Sequence, residues 1–169
     1  IGHVLQVMRF DAGGVYLLDD AGETLHLVAH HGIDEVWEAR IQTVKVGEGF
    51  SGRAVAEGRP LVLDEVPPAM LLERFDTTEL DFRTAASFPL ASSGEKLGAL
   101  FVANRASRPL SPQDIELLTA ICLQVGVAIE NPRLAARQKE AAAVEERQRL
   151  ARELHDAVTQ TLFSASLIA

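Results

Sequence analysis

The sequence predicts an α+β fold in which an antiparallel sheet is flanked by helices and followed by a long coiled-coil-like C-terminal helix. Three observations carry this. Short apolar runs come in pairs joined by turn residues, which is how hairpins are written. A longer apolar-periodic stretch opens on Ser111-Pro112-Gln113-Asp114, a cap followed by a proline suited to the first helical position. Beyond Asn131-Pro132 the composition turns to Ala, Glu, Arg and Gln, with apolar residues at helical spacing.

Taken in order, Ile1 lies inside an apparent helix. Val15-Tyr16-Leu17-Leu18 and Leu25-His26-Leu27-Val28-Ala29 then flank Asp19-Asp20-Ala21-Gly22, which predicts a first hairpin. Val44 to Val46 gives a short third strand, broken by Gly47-Glu48-Gly49. Phe50 to Glu57 reads as a helix stopped by Gly58. Leu61-Val62-Leu63 is a strand that cannot continue through Val66-Pro67-Pro68. Ala69 to Arg83 is less periodic and is expected to mix a short helix with loop, Phe75 and Phe82 serving either as a pocket lid or as core. Ala85 to Leu90 and Leu97 to Ala103 flank Ser92-Ser93-Gly94-Glu95, a second hairpin whose later strand is apolar enough to be central. The helix from Ser111 is expected to run to about residue 131, with Cys122 buried among Ile121, Leu123 and Val125.

Asn131-Pro132 marks the boundary of the globular part. The helix must either kink there or restart, with Asn131 as cap and Pro132 as first residue. From Arg133 to Arg152, Leu134, Ala141, Val144, Gln148 and Ala151 fall near heptad spacing, the pattern of a parallel coiled coil that can pass on a small rotation or shift. The expected organisation is a sensor-like domain over 1–131, a helical connector over 132–150 and a further helix from 151 to 169.

That last helix carries the chemistry. Ala151, Leu154, Val158, Thr161 or Leu162, Ala165 and Ile168 recur at steps of three and four, forming one apolar stripe. His155 and Asp156 project from its edge, and Gln160 stacks one turn from Asp156. A neutral imidazole is a competent nucleophile near neutral pH, because its unperturbed pKa is about 6.5. A carboxylate that accepts the N–H of one ring nitrogen orients the ring and stabilises the charge that develops during attack. An amide one turn away can hold a water in line with phosphorus, which suits hydrolysis of a phosphorylated partner.

Residues 145–169, with Glu145-Glu146-Arg147 and Glu153-Leu154-His155-Asp156, resemble the dimerisation and phosphoacceptor helix of bacterial two-component sensor histidine kinases of the nitrate-sensor type. The resemblance implies that His155 is autophosphorylated, that Asp156 is its base, and that Gln160 serves dephosphorylation of a response regulator. Thr159 departs from it, standing where many relatives carry glycine. The Gly47-to-Val55 segment, the Leu97-Gly98-Ala99-Leu100-Phe101-Val102 strand and the Ser111-Pro112-Gln113-Asp114 helix start, in that order, resemble a GAF domain over residues 1–131. Such domains pack helices on an antiparallel sheet, hold small ligands beneath helices and loops on one face, and dimerise through terminal helices.

These 169 residues carry a formal net charge of −8, which argues against nucleic acid as the main partner. One cysteine, Cys122, excludes an internal disulfide framework and four-cysteine clusters, and fits a reducing compartment. Tandem histidines on a strand point to opposite faces, so His30 and His31 cannot share one pocket, and no metal site is expected. With 47% hydrophobic residues and no evident membrane-spanning run, a cytoplasmic location is expected, an anchor in a longer parent protein being left open. Both ends look cut.

The expected function is the sensory and phosphoacceptor part of a sensor histidine kinase. Its partners would be a second copy joined through the C-terminal helices, a response regulator and a small ligand of unknown identity. ATP and magnesium are implied only for a catalytic domain outside these residues, so the chain alone should be inactive. The alternative is a non-enzymatic GAF ligand-binding module that dimerises through its terminal helix. A GAF-regulated cyclase or phosphodiesterase is a weaker rival.

Overall fold

The computed structural model describes residues 1–64, 82–131, 146, 147 and 149. Its elements in chain order are α1 (Gly2–Met8), β1 (Ala12–Leu18), β2 (Thr24–His31), α2 (Glu35–Ile41), β3 (Thr43–Lys45), α3 (Gly49–Glu57), β4 (Leu61–Leu63), β5 (Thr84–Ser92) and β6 (Glu95–Asn104). A final helix, α4, spans Pro112–Asn131. The six strands form one antiparallel sheet in the order β3-β2-β1-β6-β5-β4.

Both hairpins form where turn chemistry places them. In the first, the Asp19 carboxylate accepts the Glu23 backbone N–H at 2.9 Å, a bond that holds its pKa below the ordinary value. The second turns on Ser93 and Gly94, both at positive φ (51° and 85°), as a tight two-residue hairpin turn requires.

β5 and β6 are buried along most of their length because helices cover both sheet faces. On one face, Ala86, Phe88 and Leu90 of β5 and Leu100 and Val102 of β6 pack with Leu5 and Met8 of α1 and with Leu118 and Cys122 of α4. On the other, Tyr16, Leu18, Leu25, Val44 and Ala99 pack with Val55 of α3. Fully burying a side chain the size of Phe88 or Leu118 contributes roughly 1.5–3 kcal/mol.

α4 begins as its sequence predicts. The Ser111 hydroxyl accepts the Asp114 N–H at 3.1 Å, and the Asp114 carboxylate accepts the Ser111 N–H at 3.1 Å, a reciprocal cap. Arg108 joins this start to the end of α1, donating to the carbonyls of Met8 and Arg9 at 3.1 and 3.0 Å. By length and composition alone α4 meets the measure of a bilayer-spanning helix, as a core helix also can, whereas no such run stood out in the sequence. Its inner face carries Leu118 and Cys122 into the core, while Leu117, Leu123 and Val127 are exposed. Burial of Cys122 matches the sequence expectation, and desolvation pushes its thiol pKa up to about 12.

α2 has no counterpart in the sequence expectations. Its signals are nevertheless present: Asp34 caps it, the carboxylate accepting the Trp37 N–H at 2.9 Å, with Glu35 and Glu38 in the first turn and Arg40 in the last. The helix buries none of its residues.

The segment expected to mix helix and loop, Phe75 included, lies largely outside the described residues. So do Pro132, the heptad positions of the connector and all of the residues from 150 to 169.

Candidate functional site

The site that the structure builds lies between the sheet and the α2–α3 layer. Alternation along each strand decides which side chains reach it. Tyr16 on β1, Phe101 and Ala103 on β6 and Ala85 on β5 form its floor. Trp37 and Ile41 of α2, with Ile33 just before the helix, close one side, and Phe50 and Ser51 of α3 close another. Val44 and Phe82 complete a cavity of about 90 Å³ that opens to solvent.

The floor depends on one glycine. A Cβ at Gly14 would stand 2.5 Å from Phe101 Cε1 and 2.9 Å from Leu27 Cδ1, so only glycine lets the Phe101 ring lie against β1. Phe101 in turn meets Tyr16 with ring centroids 5.5 Å apart.

Polar groups around the cavity are few and mostly committed. The Tyr16 hydroxyl donates to the Ile41 carbonyl at 2.8 Å and thereby ties the end of α2 to the central sheet. Burial raises the Tyr16 pKa well above its ordinary value, so the phenol stays neutral and keeps donating. Ser87 and Ser51 hydroxyls share a buried hydrogen bond of 3.2 Å. The side chains lining the cavity carry no charge among the described residues. Arg40 stacks over the Trp37 ring at 5.6 Å and Arg105 over Phe82 at 5.1 Å, both outside the lining.

His30 and His31 point to opposite sides of β2, as alternation requires. His30 pairs with Glu38 of α2 at 3.2 Å, whereas His31 lies beside Gly2 of α1. Among the described residues no cluster of three or more His, Cys, Asp or Glu side chains could hold a metal.

Phe82 is the one residue singled out in the sequence as a lid that the structure places on the cavity. Trp37 and Ile41 were missed. Ile33, Trp37 and Ile41 recur at steps of four directly around the Asp34 cap, which is the signal that would have found them.

His155, Asp156 and Gln160 lie outside the described residues. Just before them Glu146, Arg147 and Arg149 are helical and exposed. The Arg149 guanidinium grips the Glu146 carboxylate through two bonds of 2.7 and 2.9 Å, one turn apart, and holds its pKa below the ordinary value.

The arrangement defines an α+β domain with a ligand-sized apolar cavity between one sheet face and the helices that cover it. The chain belongs to the GAF domain family, which matches residues 1–130, and the histidine kinase family matches residues 146–169. Sensor histidine kinase YhcY of Bacillus subtilis (strain 168) is 39% identical over 98 residues, 58% of this chain and 25% of that protein. The match thus spans about a quarter of that relative's length.

Among solved structures, the fold is similar to the GAF domain of a phosphoenolpyruvate-protein phosphotransferase (ptsP) from Coxiella burnetii, with 19% identity and a TM-score of 0.70. That likeness covers 80% of this chain and 81% of that one. It is similar also to the second GAF domain of DevS from Mycobacterium smegmatis, with 22% identity, a TM-score of 0.64 and coverage of 81% and 92%.

Proposed function

We propose that these residues are the sensory and phosphoacceptor part of a two-component sensor histidine kinase, in which the GAF cavity receives a small ligand and His155 receives a phosphoryl group from ATP. The observation that carries the reading is the histidine kinase match over residues 146–169, which contains His155, Asp156 and Gln160 at the spacing that phosphoryl transfer needs.

In this reading a neutral His155 ring nitrogen attacks the γ-phosphorus of ATP as ADP leaves. Asp156 accepts the N–H of the other ring nitrogen, which keeps the attacking lone pair available and stabilises the developing imidazolium. Gln160 holds the water that later hydrolyses a phosphorylated response regulator. ATP and magnesium are brought by a catalytic domain outside these residues. Dimerisation through the terminal helices is supported by Leu117, Leu123 and Val127, exposed on the side of α4 turned from the core.

The test uses the intact kinase. His155→Gln is expected to abolish transfer of labelled phosphate from ATP, and Asp156→Asn to slow it by about 10²–10⁴-fold. The 169-residue chain incubated with ATP and magnesium is expected to remain unlabelled. Label that persists after His155→Gln overturns the reading.

A further inference from the structure

We propose that the cavity between the sheet and the α2–α3 layer binds a small uncharged monocyclic compound of the phenol type, one ring bearing a single hydrogen-bonding oxygen. The proposal rests on the sensor reading above and names the ligand class for that site.

Size sets the first limit. An apolar cavity of about 150 Å³ accepts benzene. The cavity here, about 90 Å³ with one side open, is of the order a single ring occupies. Its shape sets the second, since Tyr16, Trp37, Phe50, Phe82 and Phe101 present ring surfaces suited to edge and face contact with another ring.

Charge sets the third limit. A carboxylate or ammonium entering the cavity would lose its hydration and meet no opposite charge among the described lining side chains, at a cost that an apolar surface cannot offset.

Among the described residues one polar group on the cavity wall lacks an acceptor for its proton. The hydroxyls of Ser51 and Ser87 share one hydrogen bond, so one hydroxyl proton of the pair is left over, and Ser51 is the member that lines the cavity. Ser51 is only 7% exposed, which leaves water little access to it. A ligand oxygen that accepts this proton completes the pair.

The same geometry says what binding would change. α2 has no buried residue, and Ile33, Trp37 and Ile41 face the cavity while only half-covered. A ring filling the space buries all three and gives α2 the core it lacks, so ligand occupancy becomes order in residues 35–41.

The test measures binding to the 169-residue chain by hydrogen exchange and by NMR titration, with phenol, toluene and benzoate as probes. Phenol is expected to bind saturably with a Kd of about 1 mM and to raise the protection of α2 amides several-fold. Toluene, which lacks the oxygen, is expected to bind about threefold to tenfold more weakly, and benzoate not measurably. Ser51→Ala is expected to bring phenol down to the affinity of toluene. Ala85→Leu, which puts extra methyl groups on the cavity floor, is expected to abolish both.

Benzoate binding as tightly as phenol, absence of saturable phenol binding to the folded wild-type chain, or protection gained elsewhere than α2 and α3 overturns the proposal. Phosphorylation of His155 is not read in these assays. Failure of the ligand class and failure of the kinase reading are therefore separate results.

Discussion

The hydrogen bond from the Tyr16 hydroxyl to the Ile41 carbonyl, 2.8 Å long, is the contact through which the central sheet holds the C-terminal end of α2. Tyr16→Phe removes that hydroxyl and leaves the ring in place between Phe101 and the hydrophobic cluster around Leu25 and Val44. The apolar burial is unchanged, so the cost reduces to the hydrogen bond itself. A net bond is worth about 0.5–1.5 kcal/mol, rising toward about 3 kcal/mol when the abandoned acceptor stays dry. Ile41 is only partly covered, so water can reach its carbonyl and the lower range applies, near about 1 kcal/mol.

Urea denaturation of Tyr16→Phe should therefore show a midpoint shift worth about 1 kcal/mol with an unchanged slope. The loss is local in origin. Amides of Glu38 to Ile41 should exchange at least about fivefold faster through local opening, and those of β5 and β6 by no more than the roughly fivefold that the global change allows. A loss of about 3 kcal/mol or more spread over the whole sheet would refute the reasoning, because it would mean that the phenol supports packing and not a helix end.

Leu118→Ala empties a fully buried position between α4 and the sheet and should lower stability by about 2–5 kcal/mol in the same denaturation assay. Cys122 makes stability depend on alkaline pH. Its thiol pKa is about 12 in the folded chain against an ordinary value of 9.0, so above pH 9 the unfolded state loses a proton that the folded state keeps. Its contribution is fully present below pH 9 and is lost as pH rises toward 12, at up to about 1.4 kcal/mol per pH unit. Stability curves of wild type and Cys122→Ala measured between pH 8 and 11 should converge, if they are compared at matched ionic strength.

Most of the scaffold was legible because its signals are local. Gly58 ends α3 at φ 66°, Ser93-Gly94 turns the second hairpin, and Ser111 with Asp114 opens α4, each a case where a residue's own backbone or side-chain chemistry is enough. The tandem histidines were legible for the same reason, since period-2 alternation alone separates His30 from His31. α2 was not legible in the same way. Its cap and its apolar spacing are present but cover only seven residues, and what holds the helix is contact with the sheet, through Tyr16 and His30.

The pattern proposed as phosphoacceptor, His155 with Asp156 next to it and Gln160 four residues after Asp156, is a property of sequence spacing, since a helix stacks residues four apart whatever surrounds it. Sequence alone likewise determined the order of the strands, the helices other than α2, and the GAF and histidine kinase resemblances. Only tertiary structure decided that Tyr16, Trp37, Phe50 and Phe101, drawn from four separate elements, enclose one uncharged cavity with Ser51 at its wall. The physical reason is that strand alternation and helix period say which face a side chain takes, while sheet order and the packing of α2 and α3 determine which faces meet.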